Sequence, residues 1–407
     1  MKKDKTGYFT VTNYGYLYKA IALKNSLKRQ GIDSFTIFMF DDSHKIPENP
    51  YEQDYIVINE SHHVDYLKLA FKYDVVEYTT SLKPTLTLKL LKEYDKVIFL
   101  DPDTYVYSSF EKVNNLLDEY DIVLTPHYIK PLENVKYPDL NSLKYGSFNL
   151  GFFAVNSSTN AINFLKWWEK RCLDQCYFET HNGLSTDQKW IVLANVYFDG
   201  IKTLKDYGHN VSYWNSTQRE ITISEKEIRV NGDKLVFIHF SSLIERIDSP
   251  LLSSRSNVEY SNLNNPSVWK KIYSEYIDEI NQIKPQLNLF NYQYSYDRLG
   301  SRYLTYTLRR FYGENMGLFN TSNPFQCQEL ITFAKKHRLT SKTPIPQRLN
   351  ENKVSSKKLN LLVNAYRLIL KLFGFQNDIN ISRLHIFLSS PHRIDGFFNY
   401  KKKDNGS

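Results

Sequence analysis

The sequence predicts an α/β fold built around a covered, nucleotide-binding type of sheet. Two observations carry that prediction: a strand–helix–strand opening, and an apolar strand that ends in two closely spaced carboxylates. The opening reads as a strand at Tyr8–Thr12, a helix at Leu17–Gln30 stopped by Gly31, and a strand at Ser34–Phe40 ending in Asp41-Asp42. The second signal is Val97-Ile98-Phe99-Leu100, apolar throughout as suits a central strand buried on both faces, followed by Asp101-Pro102-Asp103. Open α/β sheets bind ligands beyond the C-terminal ends of their strands, where these aspartates fall. Pro102 stiffens the link between them. Two close carboxylates repel unless a cation lies between them.

The remaining elements follow from periodicity and punctuation. A short strand is expected at Tyr55–Val57, a helix near Val64–Phe71, and a helix from about Ser81 to Tyr94. Asp121–Thr125 and Ser147–Asn156 read as strands, and Thr159–Leu173 as a helix containing Trp167 and Trp168. A helix is expected from Asp187 to about Asn195, with Ser185 or Thr186 as its cap. Val236–Phe240 is a last apolar strand carrying His239. Beyond Pro250, helices are expected at Pro266–Ile283 and Asp297–Tyr312, then a linker, then an amphipathic helix at Lys357–Phe373.

At 407 residues and 42% hydrophobic content, the chain suits an ordinary globular protein with more than one domain. Its 31 tyrosines and 25 phenylalanines suit clefts that are both apolar and hydrogen-bonding. Three cysteines, Cys172, Cys176 and Cys327, give no disulfide framework and no zinc spacing, which points to a reducing, cytoplasmic setting. No apolar leader opens the chain, so no signal peptide is expected, and no stretch approaches the roughly 18 apolar residues of a membrane span. The net charge of +8 is uneven: residues 285–407 hold 19 Lys+Arg against 7 Asp+Glu, while the rest is slightly acidic. That asymmetry suggests an acidic partner for the C-terminal third.

In order, the motifs Val97–Asp103, Phe148-Asn149-Leu150-Gly151, Asp187-Gln188, Trp214-Asn215 and the strand histidine His239 resemble those of GT-A glycosyltransferases, most of all the glycogenin-like and lipopolysaccharide galactosyltransferase-like (family 8-like) group. The resemblance spans roughly Gly7 to Ser242. It implies a GT-A fold, a Rossmann-like mixed sheet flanked by helices, with a mainly helical, basic C-terminal region appended. It divides the chain into a catalytic domain at 1–250, a helical extension at 251–343, a linker at 344–356 and a basic segment at 357–407. It also implies a Mn²⁺ (or Mg²⁺) cofactor held by Asp101, Asp103 and His239, bridging the diphosphate of a nucleotide-sugar. Asp101 would serve the donor as well as the metal. Lys83, with Lys89 as a second candidate, matches the basic residue that contacts the donor. Thr10, Thr12, Asn13, Tyr14 and Asp41 should meet its base and ribose. Asn149 and Gly151 match the sugar-contacting strand, and Asp187-Gln188 the pair near the anomeric carbon, with Asn149 completing the catalytic set. The loop after His239, Phe240-Ser241-Ser242, departs from the family's Gly/Lys-containing continuation, so the group that caps the phosphates there is left open.

The expected activity is transfer of a sugar, most simply from a UDP-sugar, to a glycan or lipid-linked glycan, as in cell-surface polysaccharide synthesis. Retention of configuration goes with the resembled group, whereas Asp187 as a general base would give inversion. A nucleotidyltransferase is the enzymatic alternative; it normally has a Gly-rich basic loop after the first strand, and Thr12–Tyr16 is not one. The other alternative is a binding protein acting through the basic third. Nucleic acid fits that poorly, since basic and aromatic residues interleave only around Tyr303–Tyr312. The Lys357–Phe373 helix better suits an anionic membrane surface, which would place a cytoplasmic protein peripherally on the inner face.

Overall fold

The computed structural model describes residues 5–132, 137–225, 227–297, 302–343, 356–374 and 378–388, and resolves into two compact units. The first comprises residues 1–66 and 75–293, the second 67–74 and 294–407. Most of the expected linker, residues 344–355, lies outside the described residues.

The first unit is organised by a seven-stranded mixed sheet of order β3-β2-β1-β4-β7-β6-β8. Its strands are β1 (Thr6–Thr12), β2 (Phe35–Met39), β3 (Tyr55–Val57), β4 (Lys96–Leu100), β6 (Ile122–Pro126), β7 (Phe148–Asn156) and β8 (Ile201–Thr203). The short β5 (Thr104–Val106) pairs outside this sheet. β1, β2, β3 and β4 run parallel, and β7 runs antiparallel to both β4 and β6. Strand order reverses between β1 and β4, and that reversal opens the crevice at their C-terminal ends.

Alternation along the strands sends side chains to two covered faces. Tyr8, Ile98, Leu100, Phe152 and Ala154 pack with Leu23 and Leu27 of α1 (Leu17–Arg29). On the other face Phe9, Phe99 and Phe153 pack ring to ring, and Phe153 meets Trp168 at 5.1 Å.

The expected helix at Ser81–Tyr94 is divided. After α2 (Tyr66–Lys72) come α3 (Val75–Ser81) and α4 (Lys83–Leu90), with Pro84 in the first turn of α4, where its missing N–H costs nothing. Then follow α5 (Glu111–Glu119), α6 (Tyr137–Tyr145), α7 (Thr159–Gln175) and a short α8 (Ala194–Tyr197). No α-helix starts at Asp187; a 3₁₀ turn covers Lys189–Leu193 instead.

β9 (Ile221–Ile223), β10 (Ile228–Val230) and β11 (Asp233–Lys234) form a small antiparallel sheet. β12 (Phe237–His239) pairs antiparallel with β5, setting His239 opposite Thr104.

The unit continues past residue 250 to include α9 (Pro266–Ile283). Trp269, Ile272, Tyr273, Tyr276, Ile277 and Ile280 recur on a helical period and are buried. Tyr276 stacks on Phe240 at 4.1 Å, immediately after His239, so α9 supports the strand that carries the histidine. Truncating Trp269 to alanine should cost about 3–5 kcal/mol.

The second unit has its own aromatic core. Phe71 meets Tyr312 at 4.8 Å, and Phe311 stacks on Phe333 at 4.4 Å. Its helices are α10 (Tyr306–Glu314), α11 (Gln328–Lys336), α12 (Ser356–Phe373) and α13 (Asp378–Leu388). α10 begins later than the expected Asp297, because Thr305 caps it by accepting from the Leu308 N–H and a short strand at Tyr303–Leu304 precedes it. The buried Arg309 guanidinium donates to the carbonyls of Ala70, Phe71 and Tyr73, tying residues 67–74 into this unit. Among the described residues no helix is long and apolar enough to cross a membrane.

Candidate active site at the end of β4

Asp101 leaves β4 with its backbone N–H bonded to the Gly151 carbonyl of β7, and the turn closes through Thr104 N–H to Asp101 O at 3.0 Å. Asp103 accepts from the Phe240 N–H through its own carbonyl, which fixes the turn against the end of β12. One ligand atom each from Asp101, Asp103 and His239 then lies within 4.8 Å of the others. His239 Nε2 is 3.1 Å from Asp103 Oδ1 and 3.7 Å from Asp101 Oδ2.

The electrostatics match that crowding. Burial alone would raise the Asp103 carboxyl, yet the His239 charge and hydrogen bond, with Lys19 beyond, hold it at about 2. Burial alone would lower His239, yet Asp103 and Asp101 raise it. Two carboxylates and one imidazole form a donor set that fits Mn²⁺ or Mg²⁺ better than a structural zinc.

Lys83 lies on the opposite side of Asp101, fully buried. Its Nζ donates to the Leu150 carbonyl at 2.8 Å and pairs with Asp187 Oδ2 at 3.1 Å and Asp101 Oδ1 at 3.3 Å. It also sits 4.5 Å over the Phe99 ring. Lys83 thus joins the two aspartates. Lys89, further along α4, neighbours His62.

Asp187 is buried, and burial is the largest cause raising its carboxyl; Lys83 opposes the rise and Asp101 adds to it. Its Oδ1 accepts from the Thr186 hydroxyl and its carbonyl from Trp168 Nε1. Thr186 holds φ at +50°, a conformation costly for a β-branched residue, which is why no helix is capped there. Gln188 bridges the Tyr145 carbonyl and the Leu150 N–H.

Asn149, Gly151 and His239 meet beside the carboxylates. Asn149 Oδ1 accepts from the Gly151 N–H, and His239 Nδ1 lies 3.2 Å from the same oxygen. Gly151 therefore gives room to the His239 ring. Trp214-Asn215 lies on a 3₁₀ turn, Tyr213–Gln218, with the Trp214 ring 5.4 Å from His239.

The residues expected at the base and ribose form a separate group. Thr10, Thr12, Tyr14 and Asp41 are all buried, and Asn13 is half-buried. Tyr14 stacks on Phe290 at 4.7 Å, and Asp41 accepts from the backbone N–H groups of Tyr14, Asp42 and Gln293. The segment after α9 thus covers the ends of β1 and β2.

Sequence reasoning missed three residues near the site. His127 follows β6 and contacts Asn149; the rule that strand ends carry ligand groups, applied to Ile122–Pro126, would have flagged it. Lys19 is buried on α1 and pairs at 3.1 Å with Glu245, in the loop after His239. Lys284 binds the same Glu245, so that loop supplies an anion that gathers cations from elsewhere.

Residues 31–189, which contain Lys83, Asp101, Asp103, Asn149, Asp187 and Gln188, match the nucleotide-diphospho-sugar transferase family. The chain is 28% identical over 253 residues to the uncharacterized protein YfnF of Bacillus subtilis (strain 168), spanning 58% of this chain and 81% of that one.

Solved structures similar to the chain include glycosyltransferase GlyE of Streptococcus pneumoniae TIGR4, at 16% identity, 70% of this chain, 64% of that chain and TM-score 0.38. Another is the galactosyltransferase LgtC with donor and acceptor sugar analogues, at 14% identity, 70% of this chain, 97% of that chain and TM-score 0.37. The mixed sheet is GT-A-like, and the match over residues 31–189 is to a family of nucleotide-diphospho-sugar transferases.

Proposed function

We propose that the protein transfers a sugar from a UDP-sugar to a glycan or lipid-linked glycan, using a divalent cation held by Asp101, Asp103 and His239. The observation that carries this reading is the convergence of those three ligands at the strand-order reversal, next to the buried Lys83–Asp187 pair. A cation there, Mn²⁺ ahead of Mg²⁺, would supply Lewis-acid stabilisation of the charge on a departing nucleoside diphosphate. Lys83 lies between Asp101 and Asp187 and pairs with both. Asn149 and Gln188 line the sugar side.

Retention of configuration follows for this reading, because the Asp187 carboxylate is committed to Lys83 and Thr186. We place the reaction in cell-surface polysaccharide synthesis on the cytoplasmic leaflet, where α12 would rest on anionic lipid.

Two experiments test the proposal. A thermal-shift panel of UDP-, GDP- and CMP-sugars with and without Mn²⁺ should show stabilisation by the UDP donor only when the metal is present. Asp101→Asn and Asp103→Asn should each abolish donor hydrolysis while the protein stays folded. Unchanged hydrolysis in either variant rules out the metal site.

A further inference from the structure

Beside the cation cluster, three side chains form a hydrogen-bond chain whose protons can all be assigned from one fixed donor. The Gly151 backbone N–H points at a side-chain atom of Asn149 at 3.2 Å. A backbone N–H only donates, so that atom is the amide oxygen, Oδ1. Asn149 Nδ2 therefore faces the other way, toward His127 Nε2 at 3.4 Å, which must accept. His127 then carries its proton on Nδ1, 3.3 Å from the Ser147 carbonyl oxygen. On the other side, His239 Nδ1 faces Asn149 Oδ1 at 3.2 Å, and an oxygen of this kind only accepts. His239 Nδ1 thus carries a proton, and Nε2, which faces Asp103 and Asp101, is the nitrogen left to give up its proton when a cation takes that place.

The far end of this chain is well anchored. The His127 backbone N–H donates to Ser147 O at 2.9 Å, and its carbonyl accepts from Asn215 Nδ2 at 3.2 Å. Asn215 also donates to Asn210 O and accepts from the Ser212 N–H. Trp214 sets its ring edge-on to both imidazoles, 5.6 Å from His127 and 5.4 Å from His239. The Trp214-Asn215 pair holds the two histidines in place.

We infer that His127 is a positioning residue of the cation site: acting through Asn149, it fixes His239 in the Nδ1–H tautomer and turns Nε2 toward the cation. This rests on the metal reading proposed above. A metal-ligating histidine is usually oriented by a carboxylate, a backbone carbonyl or water on its other nitrogen. An amide in that place can be turned either way. His127 and the Gly151 N–H together remove the wrong orientation, in which Asn149 would present a donor to His239 and move the ring proton to Nε2.

The test uses the full chain without nucleotide. Mn²⁺ affinity is read from the EPR signal of the free aqueous ion. His127→Phe keeps a ring but loses the acceptor, and should weaken Mn²⁺ binding at least about tenfold. His127→Gln restores an acceptor oxygen, and should bind within roughly threefold of wild type. Wild-type affinity in His127→Phe, or equal weakening in both variants, overturns the inference.

Should His127→Phe fail to fold, ¹⁵N NMR of the histidine-labelled wild-type protein decides. With diamagnetic Mg²⁺ bound, His239 is expected to carry its proton on Nδ1, and an unprotonated Nδ1 overturns the inference. Asp103→Asn separates the two levels: if it binds Mn²⁺ normally the metal reading falls. If it loses Mn²⁺ while His127→Phe does not, only the positioning role falls.

Discussion

Gly151 and His239 lie so close that a Cβ on Gly151 would be 2.4 Å from His239 Cε1 and 2.5 Å from Nδ1. Neither neighbour can easily give way. The glycine belongs to a central strand paired with β4, and the imidazole is held between Asn149 and Asp103. The glycine is thus a condition for the histidine's position.

Gly151→Ala should accordingly displace the imidazole from Asp101 and Asp103. The expected outcome is a loss of Mn²⁺ affinity of at least about tenfold, with a stability cost of about 1–3 kcal/mol from overpacking. EPR of free Mn²⁺ and urea unfolding measure the two effects. Normal Mn²⁺ binding in a folded Gly151→Ala protein would show that His239 is not a ligand.

Lys83 is the only basic group that the described residues place on both Asp101 and Asp187. Lys83→Met removes that cation and leaves Asp187 ionised in a buried site, so unfolding in urea at pH 8 should show a deficit of about 3–5 kcal/mol. The deficit should shrink as pH falls, because a protonated Asp187 needs no counter-charge. A deficit that stays constant with pH would assign Lys83 to packing instead. Donor hydrolysis should also be lost.

Much of the scaffold was legible because it depends on local pattern. The Pro266–Ile283 helix is found where expected, since Pro266 marks its start and a continuous apolar period runs to its end. The β4 strand and its two aspartates were equally plain. What escaped depends on contacts distant in sequence. No local signal says that Lys83 will be spent on Asp187, or that Thr186 adopts a left-handed backbone and forbids the expected helix start. The division of Ser81–Tyr94 was hidden because apolar periodicity runs through the break at Leu82. His127 was passed over because a single histidine after a strand gains meaning only once the fold brings it to Asn149 and, through Asn149, to His239.

Asp41 supplies a pH signature. Burial is the largest influence on its carboxyl and pushes it up to about 6, against three backbone N–H groups that pull it down. The folded value therefore lies above the unfolded one. Between about pH 4 and 6 the folded state holds more protons, so its contribution to stability is complete at low pH and is lost as pH rises through 6. Relative to Asp41→Asn, which does not ionise there, the wild-type protein should lose up to about 3 kcal/mol between pH 4 and 7. Chemical denaturation across that range measures it. A flat difference would mean that the three N–H groups offset burial, and that Asp41 ionises like an exposed carboxylate.

The last expectation concerns α12. Leu361, Leu368 and Leu372 are 71%, 60% and 75% exposed. Their spacing puts them along one side of the helix. Arg367 and Lys371 are exposed beside them. An apolar strip edged by cations suits the interface of an anionic bilayer, where apolar burial and charge attraction add. The full chain should therefore float with phosphatidylglycerol vesicles and not with phosphatidylcholine vesicles, and added salt should weaken the binding. Replacing Leu368 and Leu372 together by glutamate should abolish flotation while leaving soluble-donor hydrolysis intact. A wild-type chain that stays at the bottom of the gradient with both vesicle types removes the membrane from the proposed setting, and leaves the transferase chemistry untouched.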